Sequence, residues 1–418
     1  MSDDIARWLT ANALPLGKLS PGEPYTDLEP LREVLSGVRI LGMGESTHGT
    51  REFFQLKHRI LEFLVREMGF TALAMEASAS AARAVDAYVL HGTGDPAHLI
   101  ARLGFWTWNT QEIRTMVEWM REYNRTVPMA ERVRFIGIDP QRCRDSADLV
   151  EAFLRQVSPA RAESAQGILR VLARARPGSR PDPDQLLRKE AEALADFLES
   201  HRAEFAERTT AEAAGEAAEH ARILARAADL VTRPLSHQAE DESVFAVRDR
   251  YMADAVTSLV DGTARRVAVW AHNGHIAKGT YGGGVPALGS HLRQRHGDAY
   301  YALGLLFGKG AFRARRGRDT TGPAVRHRIG RGTRSIESRL AAAVPGDHLI
   351  DFRRTETSPA VDRWLRGRHL QRSFGANVPR LTYRFHLAPV VPAEDYDGLA
   401  FVATSSCSVP LPGPVPEE

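Results

Sequence analysis

Cysteine is almost missing from this 418-residue chain: the two present, Cys143 and Cys407, lie far apart and form no CxxC pair. A disulfide framework and a cysteine zinc site are therefore excluded as organising features. No run approaches eighteen apolar residues, which excludes a spanning helix. The N-terminus, MSDDIARWLTANALPL, opens acidic and lacks the basic and continuous apolar segments of a signal peptide, so the chain reads as cytoplasmic. Lysine is scarce too: of 55 basic residues only Lys18, Lys57, Lys189, Lys278 and Lys309 are lysine. Such arginine bias, with abundant alanine, fits a GC-rich genome. A nucleic-acid footprint needs basic residues clustered on one face, and no nucleic-acid partner is expected.

What is present is ordinary for a globular protein. Charged residues make up 26% and hydrophobic ones 43%, which excludes disorder over the whole length. The length suits one large domain with an insertion, or two domains.

Short apolar, β-rich runs alternate with amphipathic stretches. Val38–Met43, Thr71–Glu76, Val133–Ile138 and Arg266–Trp270 read as strands, and Tyr300–Phe307, His348–Asp351 and Leu399–Ala403 as later ones. Strands of this kind are covered on both faces. Between the first two, Phe53, Leu56, Ile60, Phe63 and Leu64 recur at helical spacing before Gly69. The alternation predicts an α/β fold with a largely parallel central sheet flanked by helices. From Asp145 to Leu259 the strand signal vanishes into Ala/Glu/Arg-rich helix formers, interrupted by a Pro/Gly linker at 177–183. The expected organisation is a catalytic core over 1–142, a helical insertion over 143–260, the rest of the core over 261–405 and a Pro-rich tail over 406–418. Within it, Val409–Pro416 is expected to be extended and poorly ordered. Arg313–Arg334 holds eight arginines with five Gly or Pro residues. It reads as a mobile, solvated basic loop, with an anion-binding lid as the functional alternative.

In a parallel sheet the site lies beyond the carboxyl ends of the strands. Glu45 and His48 follow the first predicted strand, Glu76 ends the second, Asp139 follows the third, and His272 and His275 follow the fourth. Apolar strands bring these ionisable groups to the edge of a buried core, where desolvation and neighbouring charge shift their protonation towards acid–base work. Three familiar motifs do not fit the first loop. The third glycine of a dinucleotide fingerprint is replaced by Thr47, and Ser46 lacks the G-x-S-x-G frame of a nucleophile elbow. Gly308-Lys309-Gly310 lacks the hydroxyl and spacing of a phosphate loop. His272 and His275, with Glu45, His48 or Glu76, make a legitimate metal set. A metal-free site with His48 as base is the competing reading, and spacing alone does not choose.

The stretches LGMGESTHGTREFFQLKHRILEFLVREMGF, TALAMEAS, GFWTWNTQEIRTMVEWMREYN, VRFIGIDPQ and WAHNGHIAK resemble the erythromycin esterase family. The likeness runs from about Arg39 to Gln141, resumes near Arg248–Ala253 and continues to about Phe307. The resemblance implies an α/β core with helical additions, a deep cleft, and metal- and cofactor-independent ester hydrolysis, best known on macrolide lactones. It implies His48 as the general base, Glu45 and Glu76 as cleft carboxylates, and His272 and His275 as the essential histidines. Lys57 stands where some members carry arginine, keeping the charge but losing the bidentate fork. Trp106 and Trp108 are expected as an apolar wall, and Asp139 as a further substrate-binding residue. The implied substrate is a small molecule, an ester or lactone, large and apolar, with no membrane partner. Acyl transfer, cyclisation or elimination in natural-product biosynthesis is the alternative reaction on the same scaffold.

Overall fold

The computed structural model of the protein describes residues 3–182, 184–236, 242–281, 284–317, 322–353 and 356–412. Twelve strands run β1 (Ala13–Pro15), β2 (Ile40–Met43), β3 (Ala72–Ser78), β4 (Arg134–Asp139), β5 (Val267–Trp270), β6 (Tyr300–Arg316), β7 (Val325–Ile329), β8 (His348–Asp351), β9 (His369–Arg372), β10 (Asn377–Val378), β11 (Leu387–Val390) and β12 (Gly398–Ser405). The central sheet has the order β1-β8-β12-β6-β2-β5-β3-β4, and β9 and β11 form a separate ribbon. From β12 across to β4 every pairing is parallel, while β8 and β1 close one edge antiparallel. The fold is mixed α/β with a mostly parallel central sheet flanked by helices.

Alternation explains why the strands are apolar almost throughout. Leu41, Met43, Leu73, Met75, Ala268 and Trp270 join one apolar cluster, beneath the helices Arg51–Met68 and Gln111–Thr126. Ile40, Ala72, Ala74, Val267 and Val269 join the other, beneath Val244–Val260 and Leu288–His296. Both faces are thus covered and a strand with no polar face is required. Between β4 and β5 the described residues form helices only, and those from Arg144–Val157 to Ala211–Thr232 bury an apolar cluster of their own. No described helix is long and apolar enough to cross a membrane.

Two expectations need correction. The basic segment Arg313–Arg334 is largely a β-hairpin rather than a mobile loop. Strand β6 runs on through Arg316, and β7 returns antiparallel to it, pairing Phe312 with His327. Phe312, Ala314, His327 and Ile329 are buried while arginines alternate outward, a period of two that a count of arginines conceals. The hairpin tip, 318–321, lies outside the described residues. The tail is held as far as Leu411. Ser406 donates from both N and Oγ to Glu52, Val409 N donates to Glu112, and Leu411 N donates to the Asn109 carbonyl. Ser408 N donates to the Gly49 carbonyl as well. Residues 413–418 lie outside the described residues.

Candidate active site

The loop after β2 is clamped from both sides. Ser46 N donates to the Leu305 carbonyl of β6, Phe374 N donates to the Ser46 carbonyl, and Asn273 N donates to the Glu45 carbonyl. The Asn273 amide also exchanges two hydrogen bonds with the Leu305 backbone, each 3.0 Å. A Cβ at Gly44 would lie 2.1 Å from Asn273 Oδ1, so glycine is what lets these two loops approach.

Glu45 is thereby fixed in the interior with no exposed surface. Its Oε1 accepts from His48 Nδ1 at 2.7 Å and its Oε2 accepts from Lys57 Nζ at 2.5 Å. Lys57, on the helix Arg51–Met68, is fully buried, with its ammonium 4.0 Å from the centre of the Trp270 ring. Burial pushes its pKa down to about 8, against the opposing pull of Glu45 and Glu76. Bound to Glu45, Lys57 acts through that carboxylate rather than at the open face. The hydrogen bond to Glu45 assigns the His48 proton to Nδ1, leaving the Nε2 lone pair without a partner among the described residues. The His48 ring stands 5.1 Å from that of His272 and edge-on to Trp108 at 5.5 Å.

Glu76, in β3, receives His272 N on Oε2 at 2.9 Å and Arg248 Nη2 on Oε1 at 2.8 Å, with His275 Nε2 at 3.1 Å. Burial alone would raise this carboxyl, but His275 and then Arg248 hold it well below the usual carboxylate range. His275 Nδ1 faces Asp249 Oδ1 at 2.8 Å and the Tyr281 hydroxyl at 2.6 Å. Asp249 is buried, and its Oδ2 also accepts from Tyr281 and Leu288 N. Burial opposes the imidazolium, yet Asp249 and Glu76 carry the His275 pKa up to about 10. His275 is therefore a cation at neutral pH. Its 3.0 Å approach to Arg248 Nη1 is a like-charge contact held by the carboxylates around it.

His272 has the opposite character. Its Nδ1 accepts from Gly274 N at 3.1 Å, which leaves the hydrogen on Nε2. Burial, then the neighbouring His48, push its pKa down to about 3, so the ring is neutral. The Phe374 backbone is the hydrogen-bond partner of this buried ring besides Gly274. Three histidines thus present three functions side by side: an acceptor at His48, a donor at His272 and a cation at His275.

Of the residues expected from sequence, His48, Glu45, Lys57, Glu76, His272, His275 and Trp108 come together. Trp108 donates its indole N–H to the Glu76 carbonyl. Asp139 is fully buried behind Arg248, accepting from it at 2.7 Å and from Gln141 at 2.8 Å. Trp106 is buried under the Arg313 guanidinium, its N–H without an acceptor among the described residues. Sequence reasoning passed over Arg248, Asp249 and Tyr281. The adjacent Arg248-Asp249 pair in RDRYMA was the available signal for the first two. Among the described residues no cluster of three or more His, Cys, Asp and Glu could hold a metal ion. His272 and His275 point at different partners, and the Arg248 guanidinium already lies among Glu76, Asp139 and His275.

The sequence model of the erythromycin esterase family matches residues 65–405. The chain belongs to the erythromycin esterase family. The match begins inside the helix that follows the Glu45–His48 loop. The chain is similar to "Erythromycin esterase type II" of Escherichia coli, 26% identical over 321 residues covering 71% of this chain and 76% of that protein. It is also similar to "Putative hydrolase YbfO" of Bacillus subtilis (strain 168), 23% identical over 431 residues covering 96% of this chain and 91% of the other. Among solved structures, one described as a succinoglycan biosynthesis protein superposes with a TM-score of 0.80 at 23% identity, covering 97% of both chains. A mutant of the erythromycin esterase EreC in its open conformation gives 0.69 at 17% identity, covering 93% of this chain and 97% of that one. These structures share the fold. Membership of the erythromycin esterase family and the two named relatives support a hydrolase acting on a small molecule.

Proposed function

We propose that the protein is a metal-independent hydrolase of carboxylic esters in which His48 is the general base. The observation that carries this reading is the pairing of a His48 Nε2 lone pair, without a partner among the described residues, with the neutral His272 ring 5.1 Å away, whose Nε2–H is a donor. Water bound between them gives a proton to His48 Nε2 as its oxygen attacks the ester carbonyl carbon. Glu45, anchored by Lys57, stabilises the imidazolium that forms. His272 Nε2–H and the positive field of His275 and Arg248 face the oxygen that gains negative charge. Collapse breaks the carbon–oxygen bond to the leaving group, and His48 returns its proton to that alkoxide, releasing acid and alcohol. Each of Glu45, Glu76, Asp139 and Asp249 already faces Lys57, Arg248 or His275, which supports a reading in which these carboxylates serve the protein's own cations rather than a metal. Trp108 beside His48 suits an apolar substrate, and opening of a macrolide lactone is the specific reaction we infer.

The test is mass spectrometry of erythromycin, and of a panel of simpler esters, incubated with the purified protein, with His48→Ala and with a chelator. A gain of one water that survives chelation is expected. In His48→Ala the rate should fall by about a hundredfold to ten-thousandfold. Turnover undiminished in His48→Ala would remove the base from the mechanism.

A further inference from the structure

A cavity of about 620 Å³ opens between the end of β7 and the β9–β11 ribbon, and it shares no residue with the catalytic cleft. Arg331, Arg334, Arg372 and Arg384 line it, and no acidic residue does. Arg372 is buried, its guanidinium bonded to the carbonyls of Gly308 at 2.7 Å and Gly330 at 2.6 Å. Those carbonyls orient the guanidinium, and the buried Glu337 carboxylate behind it supplies a counter-charge. Arg331, Arg334 and Arg384 are exposed and meet no carboxylate among the described residues. Other surface arginines of the chain pair with acids, as Arg114 does with Glu118 and Arg366 with Asp362. Beside them the buried Ser335 hydroxyl faces the Glu337 carboxylate. The remaining wall is apolar, from Ile329, Leu370 and Leu387 to Phe385, which is 81% exposed at the lip.

We propose that this pocket is a second binding site, for a small amphipathic anion: a carboxylate or phosphate headgroup on an apolar body. Forked guanidinium groups suit the oxygens of such a headgroup, and Phe385 with Leu370 covers the body. A concave volume of this size matches a small-molecule site rather than a flat lipid-facing patch. The basic segment ending at Arg334 thus has a ligand to serve, at its base rather than at its tip. The inference stands apart from the hydrolase reading, since none of these residues touches the cleft groups.

Isothermal titration of the full-length protein with octyl phosphate and with decanoate, both below micelle formation, tests it. Octanol and inorganic phosphate serve as half-ligands. Saturable binding of one anion at one site per chain is expected, and the one that binds names the headgroup. It should weaken by about tenfold or more in the surface double variant Arg334→Ala/Arg384→Ala. In Phe385→Ala the longer-chain anion should lose affinity while unfolding is unchanged. Absence of saturable binding by both anions overturns the proposal. So does equal affinity in the double variant, or octanol binding as tightly as the anion. Adsorption to phosphatidylglycerol vesicles without binding of the monomeric anions would mark a lipid-facing surface instead, and would equally overturn it.

Discussion

Replacing Lys57 with methionine probes the interior charge pair without any knowledge of substrate. Lys57 and Glu45 both have no exposed surface, and their charged atoms are 2.5 Å apart. Methionine fills most of the space and keeps an apolar contact with Trp270, but it strands one carboxylate oxygen in the interior. Breaking a buried pair from one side costs about 3–5 kcal/mol, against about 0–1 kcal/mol for an exposed pair. In the double variant Lys57→Met/Glu45→Gln no charge is left stranded. The two changes should therefore be less than additive by about 2–3 kcal/mol. Urea unfolding at pH 7, followed by tryptophan fluorescence, reads all four corners of the cycle. The pH dependence has a defined sign. Between pH 8 and 10.5 the unfolded chain keeps a Lys57 proton that the folded chain has released, so the natural protein gains stability relative to Lys57→Met across that window. A loss below about 1 kcal/mol in Lys57→Met, or a cycle without coupling, would refute the account of Glu45 as an anion held by Lys57.

Three further outcomes are expected. In Asp249→Asn the His275 imidazolium loses its principal counter-charge. The stability that His275 contributes is fully present below pH 6.5 and lost as pH rises through about 10, so the variant's deficit in urea unfolding should be largest at pH 6 and narrow towards pH 10. Gly44→Ala forces the Asn273 amide away and forfeits its bonds to Leu305, a loss of about 2–4 kcal/mol measurable by thermal unfolding. Ser46→Ala removes a buried hydroxyl with no partner, so stability should change by less than about 1 kcal/mol and ester turnover should persist. A collapse in rate equal to that of His48→Ala would make Ser46 the nucleophile and displace activated water.

The sequence by itself determined the strands that carry the site and the chain positions of its acids and histidines. Those features are local: an apolar run of four to seven residues, then a turn with an ionisable side chain. The helix between the first two strands, Arg51–Met68, was legible for the same reason, since helical spacing repeats within one segment. Where that period was masked by composition, as in Arg313–Arg334, the hairpin was missed. What only the tertiary structure decided is which histidine does what. His272 and His275 are three residues apart with the same intrinsic pKa. One is neutral because it is buried against a backbone N–H and His48, and the other is charged because Asp249, from a distant helix, and Glu76, from another strand, converge on it. Protonation is set by the field at a point in space, and that field is assembled from chain positions as far apart as Glu45 and His275. The same holds for Lys57 and Arg248. Each is an ordinary cation in the sequence, and each becomes the counter-charge of a particular buried carboxylate only after the sheet has brought β2, β3, β4 and β5 side by side.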